Sequence, residues 1–185
     1  MRAALRVSIT VSFAIAAVGI LVWNLQPVDR LVIALALALL CVDQGRMALV
    51  DLNDIRRVTL SDQRVKQFLR VTLIAIAVEL IGFYLAWRWL AIGTTIVLGS
   101  QLFFNTAAKI QLYPDSSEPI RPMGLKERSP VLMLNIVALG LVTLWQRGLF
   151  SQVTSALVLV MVLIYLILKY VPISLESTRD MGENP

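Results

Sequence analysis

The chain has 185 residues, of which 58% are hydrophobic and 16% charged, with a mean hydropathy of +0.77. Soluble domains carry about 45–50% apolar and about 25% charged residues, so the composition excludes an ordinary soluble globule, and its apolar richness excludes a disordered chain. The net charge of +5 lies in clusters beside apolar runs, which is the positive-inside bias of a membrane protein and not a nucleic-acid surface.

Met1-Arg2-Ala3-Ala4-Leu5-Arg6 and the apolar run after it resemble a signal peptide. However, the run from Val7 to Val22 ends without a polar region or a small-residue cleavage site, so it reads as a retained first span. A bilayer-spanning helix needs about 17–25 mostly apolar residues. Six stretches come close: 7–25, 31–50, 69–88, 91–110, 130–146 and 149–171. The expected fold is an all-α integral membrane protein, one domain of six transmembrane helices arranged as three helical hairpins over about 7–50, 69–110 and 130–171. The first turn is Gln26-Pro27-Val28-Asp29-Arg30, the second Trp87-Arg88-Trp89-Leu90 and the third Gln146-Arg147-Gly148. Only the second lacks a strong breaker, but one helix over 69–110 would be about 63 Å long, twice the hydrocarbon thickness.

Polar linkers join the hairpins. Asp51–Lys66 is rich in both charges, and its Ser61-Asp62 has the form of a helix N-cap. Tyr113–Pro130 carries Pro114, Pro119, Pro122 and Pro130 and reads as an irregular loop. A polar tail follows from 172 to 185. Of the 17 Lys and Arg residues, the hairpin turns hold only Arg30, Arg88 and Arg147. The other fourteen face the opposite side, so both termini are expected in the cytoplasm.

The odd spans share a spacing. Arg6 precedes Trp23, Arg70 precedes Trp87 and Arg128 precedes Trp145 by 17 residues each, about 25 Å of helix. That distance suits an Arg at one membrane interface and a Trp in the aromatic belt of the other. These six residues are the expected interface anchors. The spacing is met by any short span with such ends, and equally by a hairpin copied three times with a period of about 60 residues. Small residues spaced by four, as at Thr95 and Gly99, mark expected packing faces.

Glu79 lies nine residues from Arg70 and eight from Trp87, at the expected midplane, where an ionisable group is a functional candidate by default. Reflection across the second turn puts Ser100 and Gln101 beside it. Glu79 bonded to either would glue two helices; otherwise it would serve a ligand, an ion or a proton. A second polar layer contains Asp43, Asn105 and Asn135. Asp43 and Arg46 are three residues apart and can pair on one helix face, either as a half-solvated helix end or as part of a polar cavity lined by Asp43, Arg46, Asn105 and Asn135.

The sequence has no His and one Cys, Cys41. It has no Walker loop, dinucleotide glycine motif, nucleophile elbow or metal-ligand spacing. No catalytic residue, metal or cofactor is expected. The expected partners are the lipid bilayer and a membrane protein docked on the 113–130 loop, with no nucleic acid.

The run Phe103-Phe104-Asn105-Thr106-Ala107-Ala108-Lys109-Ile110-Gln111-Leu112-Tyr113-Pro114, with the later Pro119-Ile120-Arg121-Pro122-Met123-Gly124-Leu125-Lys126-Glu127-Arg128-Ser129-Pro130-Val131-Leu132, resembles small integral membrane proteins of cyanobacteria that have no assigned function. The resemblance covers about a quarter of the chain and implies a plasma or thylakoid membrane. From the missing catalytic inventory and the short loops, the leading expectation is a non-enzymatic accessory, scaffold or assembly component of a membrane complex. The alternative is a small transporter or channel that uses Glu79.

Overall fold

The computed structural model describes residues 3–58 and 62–180. Its helices are α1 (Ala3–Trp23), α2 (Val28–Arg57), α3 (Gln63–Leu85), α4 (Leu90–Ala107), α5 (Leu125–Gln146) and α6 (Ser151–Asp180). All six are long and apolar enough to cross a membrane. The expected helix count is therefore met, but the fold is not purely α. Two short strands, β1 (Ile110–Leu112) and β2 (Ile120–Pro122), pair antiparallel between α4 and α5.

Helices α2, α3, α4, α5 and α6 form a ring in which each packs against the next and α6 closes on α2; α1 lies outside, against α2 and α3. Close approach depends on glycine at two places. A Cβ on Gly93 would stand 2.4 Å from Gly82 O and 2.5 Å from Ala86 N, and a Cβ on Gly45 would stand 2.9 Å from Phe13 Cβ. The expected Thr95 and Gly99 face is not a packing face. Thr95 is exposed and a Cβ on Gly99 would meet nothing.

The end of the bundle that holds the helix–helix turns is filled by Ile20, Ile33, Leu37, Phe83, Leu90 and Val97, all almost fully enclosed. Phe13 and Phe83 meet edge to face at 5.9 Å, a favoured aromatic geometry. Hydrogen bonds lace the turns together. Asn24, fully buried, donates to Ile20 O at 2.7 Å and Ala86 O at 3.2 Å and accepts from Arg30 Nε at 2.7 Å. Trp145 Nε1 donates to Asp29 Oδ2 at 2.8 Å.

The opposite end, with the α2–α3 linker, is the polar end. A second small core caps it, in which Ile55, Val58, Val65, Phe68 and Val71 pack with Ala108, Ile110 and Leu112. The 113–130 segment is thus not wholly irregular. β1 turns its alternate residues Ile110 and Leu112 inward, and α5 already starts at Leu125. Pro130 lies inside α5, where it removes the N–H that would bond Lys126 O. Ser129 Oγ donates to that same carbonyl at 2.7 Å and satisfies it. The linker between the second and third spans is also shorter than expected, because α2 runs to Arg57. Asp62 caps α3 by accepting from Arg64 N at 2.7 Å, while Ser61 lies outside the described residues. The bonds from the Arg64 side chain and backbone hold the Asp62 carboxyl below the usual carboxylate range. α6 continues to Asp180, through most of the expected polar tail; 181–185 lie outside the described residues.

The six expected anchors do not behave alike. Arg6 and Arg70 are exposed, and Arg6 donates to Asn53 Oδ1 at 2.8 Å. Trp23 is 63% exposed, as a belt residue would be. Arg128 is buried instead, and donates to Ile110 O at 3.2 Å. Trp87 packs its indole onto Gly19, where a Cβ would stand 2.1 Å from the ring, and donates from Nε1 to Ala16 O at 3.1 Å. It is a packing residue between α1 and the α3–α4 turn. Trp145 is partly buried and held by Asp29.

Candidate functional site

A partly open cavity of about 210 Å³ lies between the helices of the ring. Every ring helix contributes to its wall over an axial stretch of seven or more residues: Leu40 to Asp51 on α2, Thr72 to Glu79 on α3, Leu98 to Asn105 on α4, Val131 to Ala138 on α5 and Val158 to Tyr165 on α6. Seven residues of helix rise about 10 Å, so the cavity is elongated along the bundle. Its inner end abuts the apolar packing around the turns, and it runs from there towards the polar end.

The α3–α4 packing fixes the depth of each group. Gly82 faces Gly93, and Ser100 Oγ donates to Ala75 O at 3.2 Å. Paired residue numbers across this interface therefore sum to 175, which puts Glu79 level with Ile96. Reflection about the middle of the turn had placed it level with Ser100 and Gln101, about one helical turn too near the polar end. Neither expected bond forms, since Ser100 is taken by Ala75 and Gln101 Nε2 has no partner. Helix direction would draw Glu79 and Gln101 towards each other across this offset. Side chains tilt towards the N-terminus of their own helix, which is the polar end for α3 and the turn end for α4.

The polar groups on the wall are Gln44, Asp51, Thr72, Glu79, Gln101, Asn105, Asn135 and Tyr165. Glu79 is 5% exposed, Gln101 9%, Asn135 6% and Thr72 2%. Thr72 Oγ1, Gln101 Nε2 and Asn135 Nδ2 are enclosed without a hydrogen-bond partner. Buried polar groups in proteins are nearly always bonded, and an exception calls for a reason such as an absent water or ligand. Here three exceptions converge on one cavity beside a carboxylate. No Lys or Arg lines it. Arg128 reaches only its polar end, where NH1 stands 3.5 Å from Asn105 Oδ1 and the guanidinium carbon 5.6 Å from the Phe104 ring centre.

Asp43 and Arg46 are not part of this wall, and they do not pair. Asp43 is 3% exposed, and Lys169 Nζ donates to both its oxygens at 2.7 Å. Tyr165 OH donates to Asp43 Oδ2 at 3.2 Å and accepts from Lys169 at 3.0 Å; Tyr170 OH completes the cluster on Oδ1. Arg46 is exposed and stacks its guanidinium 4.6 Å from the Tyr170 ring centre. Residues 43 and 46 share a helix, but the facing helix offers Asp43 a better-placed cation. The expected cavity of Asp43, Arg46, Asn105 and Asn135 is thus replaced by one that keeps the two asparagines and adds Asp51, Thr72, Glu79 and Gln101.

Among the described residues no group of three or more Cys, Asp or Glu is placed to hold a metal ion. Cys41 is buried and donates to Phe13 O at 3.3 Å. Comparison of the chain with protein-family models, with curated proteins and with solved structures gives no match.

Proposed function

We propose that this chain is a small transporter or channel that binds its solute in the central cavity, with Glu79 as the principal recognition group. The observation that supports this is the convergence of three partnerless buried polar atoms, on Thr72, Gln101 and Asn135, around a cavity that also holds a carboxylate. A polar group in the bilayer interior must be satisfied, and water or a solute in the cavity would satisfy these. An accessory or scaffold role calls for no such cavity. The 113–130 segment, the surface best suited to a partner, packs Ile120 onto the polar-end core beside Ile110 and Leu112 of β1.

The same reading takes the helices as three hairpins. It sets the polar end and both termini on the cytoplasmic side, because fourteen of the 17 basic residues lie there. The cyanobacterial resemblance supports a plasma or thylakoid membrane. The unlike environments of the three Trp residues favour coincidence over a copied hairpin for the shared spacing.

Single cysteines at positions 72, 101 and 135, introduced with Cys41→Ala, test the reading. In sealed vesicles a small water-borne thiol reagent should label at least Thr72→Cys and Asn135→Cys. Uniformly unreactive sites in a folded protein would overturn the proposal.

A further inference from the structure

Resting on that reading, we propose that the solute is a compact organic cation, a protonated amine carried on a small apolar body, with its ammonium seated at Glu79. Three observations carry this. First, the wall holds two carboxylates, Asp51 and Glu79, and no basic side chain. The two nearby cations are committed elsewhere. Lys169 is bound to Asp43, and Arg128 donates to Ile110 O and keeps a buried Nε without a partner at the polar end. Arg128 meets the wall at Asn105, nine residues along α4 from the level of Glu79, about 13 Å of helix rise. The carboxyl of Glu79 therefore has no counter-ion on the wall, and an anionic solute would meet two carboxyl groups and no cation there.

Second, the surroundings suit an ammonium better than a bare ion. The side chains of Gln101 and Asn135 make no hydrogen bond among the described residues, so each amide can turn its oxygen or its nitrogen into the cavity. An ammonium has three N–H groups to place. Glu79 offers acceptors from α3, and the two amides offer further acceptors from α4 and α5 along the same cavity. Third, the inner end of the wall is apolar, lined by Leu40, Leu98, Val158 and Val162. Ion sites are built from closely set oxygens, whereas the two carboxylates of this wall come from different helices, and the inner end beyond Glu79 is hydrocarbon. The volume of about 210 Å³ compares with about 150 Å³ for a cavity that takes up benzene. It accommodates an aromatic ring or short alkyl body plus an aminomethyl group.

Benzylamine is the probe. It is titrated by equilibrium dialysis against the full chain in lipid nanodiscs, beside its neutral isostere benzyl alcohol and the bodiless methylammonium. Empty nanodiscs give the lipid background. Benzylamine should bind saturably, one per chain, at least tenfold tighter than either comparison probe. Glu79→Gln should weaken benzylamine tenfold or more and benzyl alcohol far less. Glu79→Asp, which keeps the charge, should retain benzylamine within a few fold. Ala138→Phe fills the cavity without touching a charge and should abolish binding of both ring probes, which keeps the test open should Glu79→Gln fail to fold.

Equal affinity for benzyl alcohol, or benzylamine binding indifferent to Glu79→Gln, overturns the cation. Equal affinity for methylammonium overturns the apolar body. In each case, cysteines that still label from water leave the solute-cavity reading standing. If no probe binds and those cysteines are unreactive, both proposals fall.

Discussion

Asp43 and Glu79 are both carboxylates enclosed in one helix bundle, 3% and 5% exposed respectively, yet their surroundings are opposites. Asp43 is met by an ammonium and two phenols, all from α6, and nothing in its cluster is left unsatisfied. Glu79 faces a cavity in which Thr72 Oγ1, Gln101 Nε2 and Asn135 Nδ2 are enclosed without partners. A membrane interior penalises an unpaired charge strongly, so a buried carboxyl is paired by the protein, held as the neutral acid, or left for something that is not protein. The Asp43 cluster fastens α6 to α2 and has the character of structure, whereas the Glu79 cavity has the character of a receptor. Tyr165 belongs to both, since it bonds Asp43 and lines the cavity.

The comparison predicts unequal responses to mutation. Lys169→Ala strands Asp43 with only hydroxyl donors. Removing one partner of a buried ion pair costs about 3–5 kcal/mol, and a loss of about 3 kcal/mol is expected in reversible denaturant unfolding in mixed micelles. The paired replacement Asp43→Leu with Lys169→Met should recover most of it, because no buried charge is then left alone. A Lys169→Ala protein as stable as the parent would remove the structural half of the comparison.

Gly93→Ala comes next. Its Cβ would collide with the backbone at Gly82 and Ala86, and overpacking of this kind costs about 1–3 kcal/mol. The same shift would move Glu79 relative to Gln101, so benzylamine binding should fall with stability. Gly99→Ala, on the open face of the same helix, should be neutral or stabilising by up to about 1 kcal/mol through helix propensity. Equal losses at the two glycines would show that α3–α4 contact does not set the cavity's geometry.

Glu79→Leu should change stability by less than about 1 kcal/mol in either direction. Glu79 holds no protein group in place, and replacing a polar group without orphaning a partner is nearly neutral. Probe binding should be lost all the same. A destabilisation as large as that of Lys169→Ala would mean that Glu79 is structural after all, and the contrast with Asp43 would disappear.

What the sequence made legible follows the same division. Hydropathy marks all six helices, and the Asp62 cap can be read because its partner is two residues away. Glu79 stood out because a carboxylate amid apolar residues is improbable wherever its helix packs. Partner choice was hidden. Asp43 and Lys169 are 126 residues apart, and local spacing offered Arg46 instead. The depth of Glu79 depended on how tightly α3 and α4 turn, which Gly82 and Gly93 decide. A glycine pair eleven residues apart across a turn was the one available signal. Arg128 was misread because an Arg at a helix end normally reaches water, but here the β1 carbonyl of Ile110 lies closer. Pro130 suggested a loop end because the hydroxyl that replaces its missing bond belongs to the residue before it.

The smallest expected effect is the most informative about the cavity itself. Thr72→Val replaces an enclosed hydroxyl by a methyl of similar shape. Were the cavity dry, that hydroxyl would be bonded to nothing, and burying an unpaired hydroxyl costs about 1–3 kcal/mol in proteins. Valine would then stabilise the fold by that amount. In a cavity open to water or solute the hydroxyl is already satisfied, and the substitution exchanges one accommodated group for another. We expect a change within about 0.5 kcal/mol, together with a two- to threefold weakening of benzylamine through the loss of one wall contact. A stabilisation above 1 kcal/mol with unchanged probe binding would mark the cavity as a packing void. Glu79 would then be a neutral acid buried beside it, and the solute reading would have lost its main support.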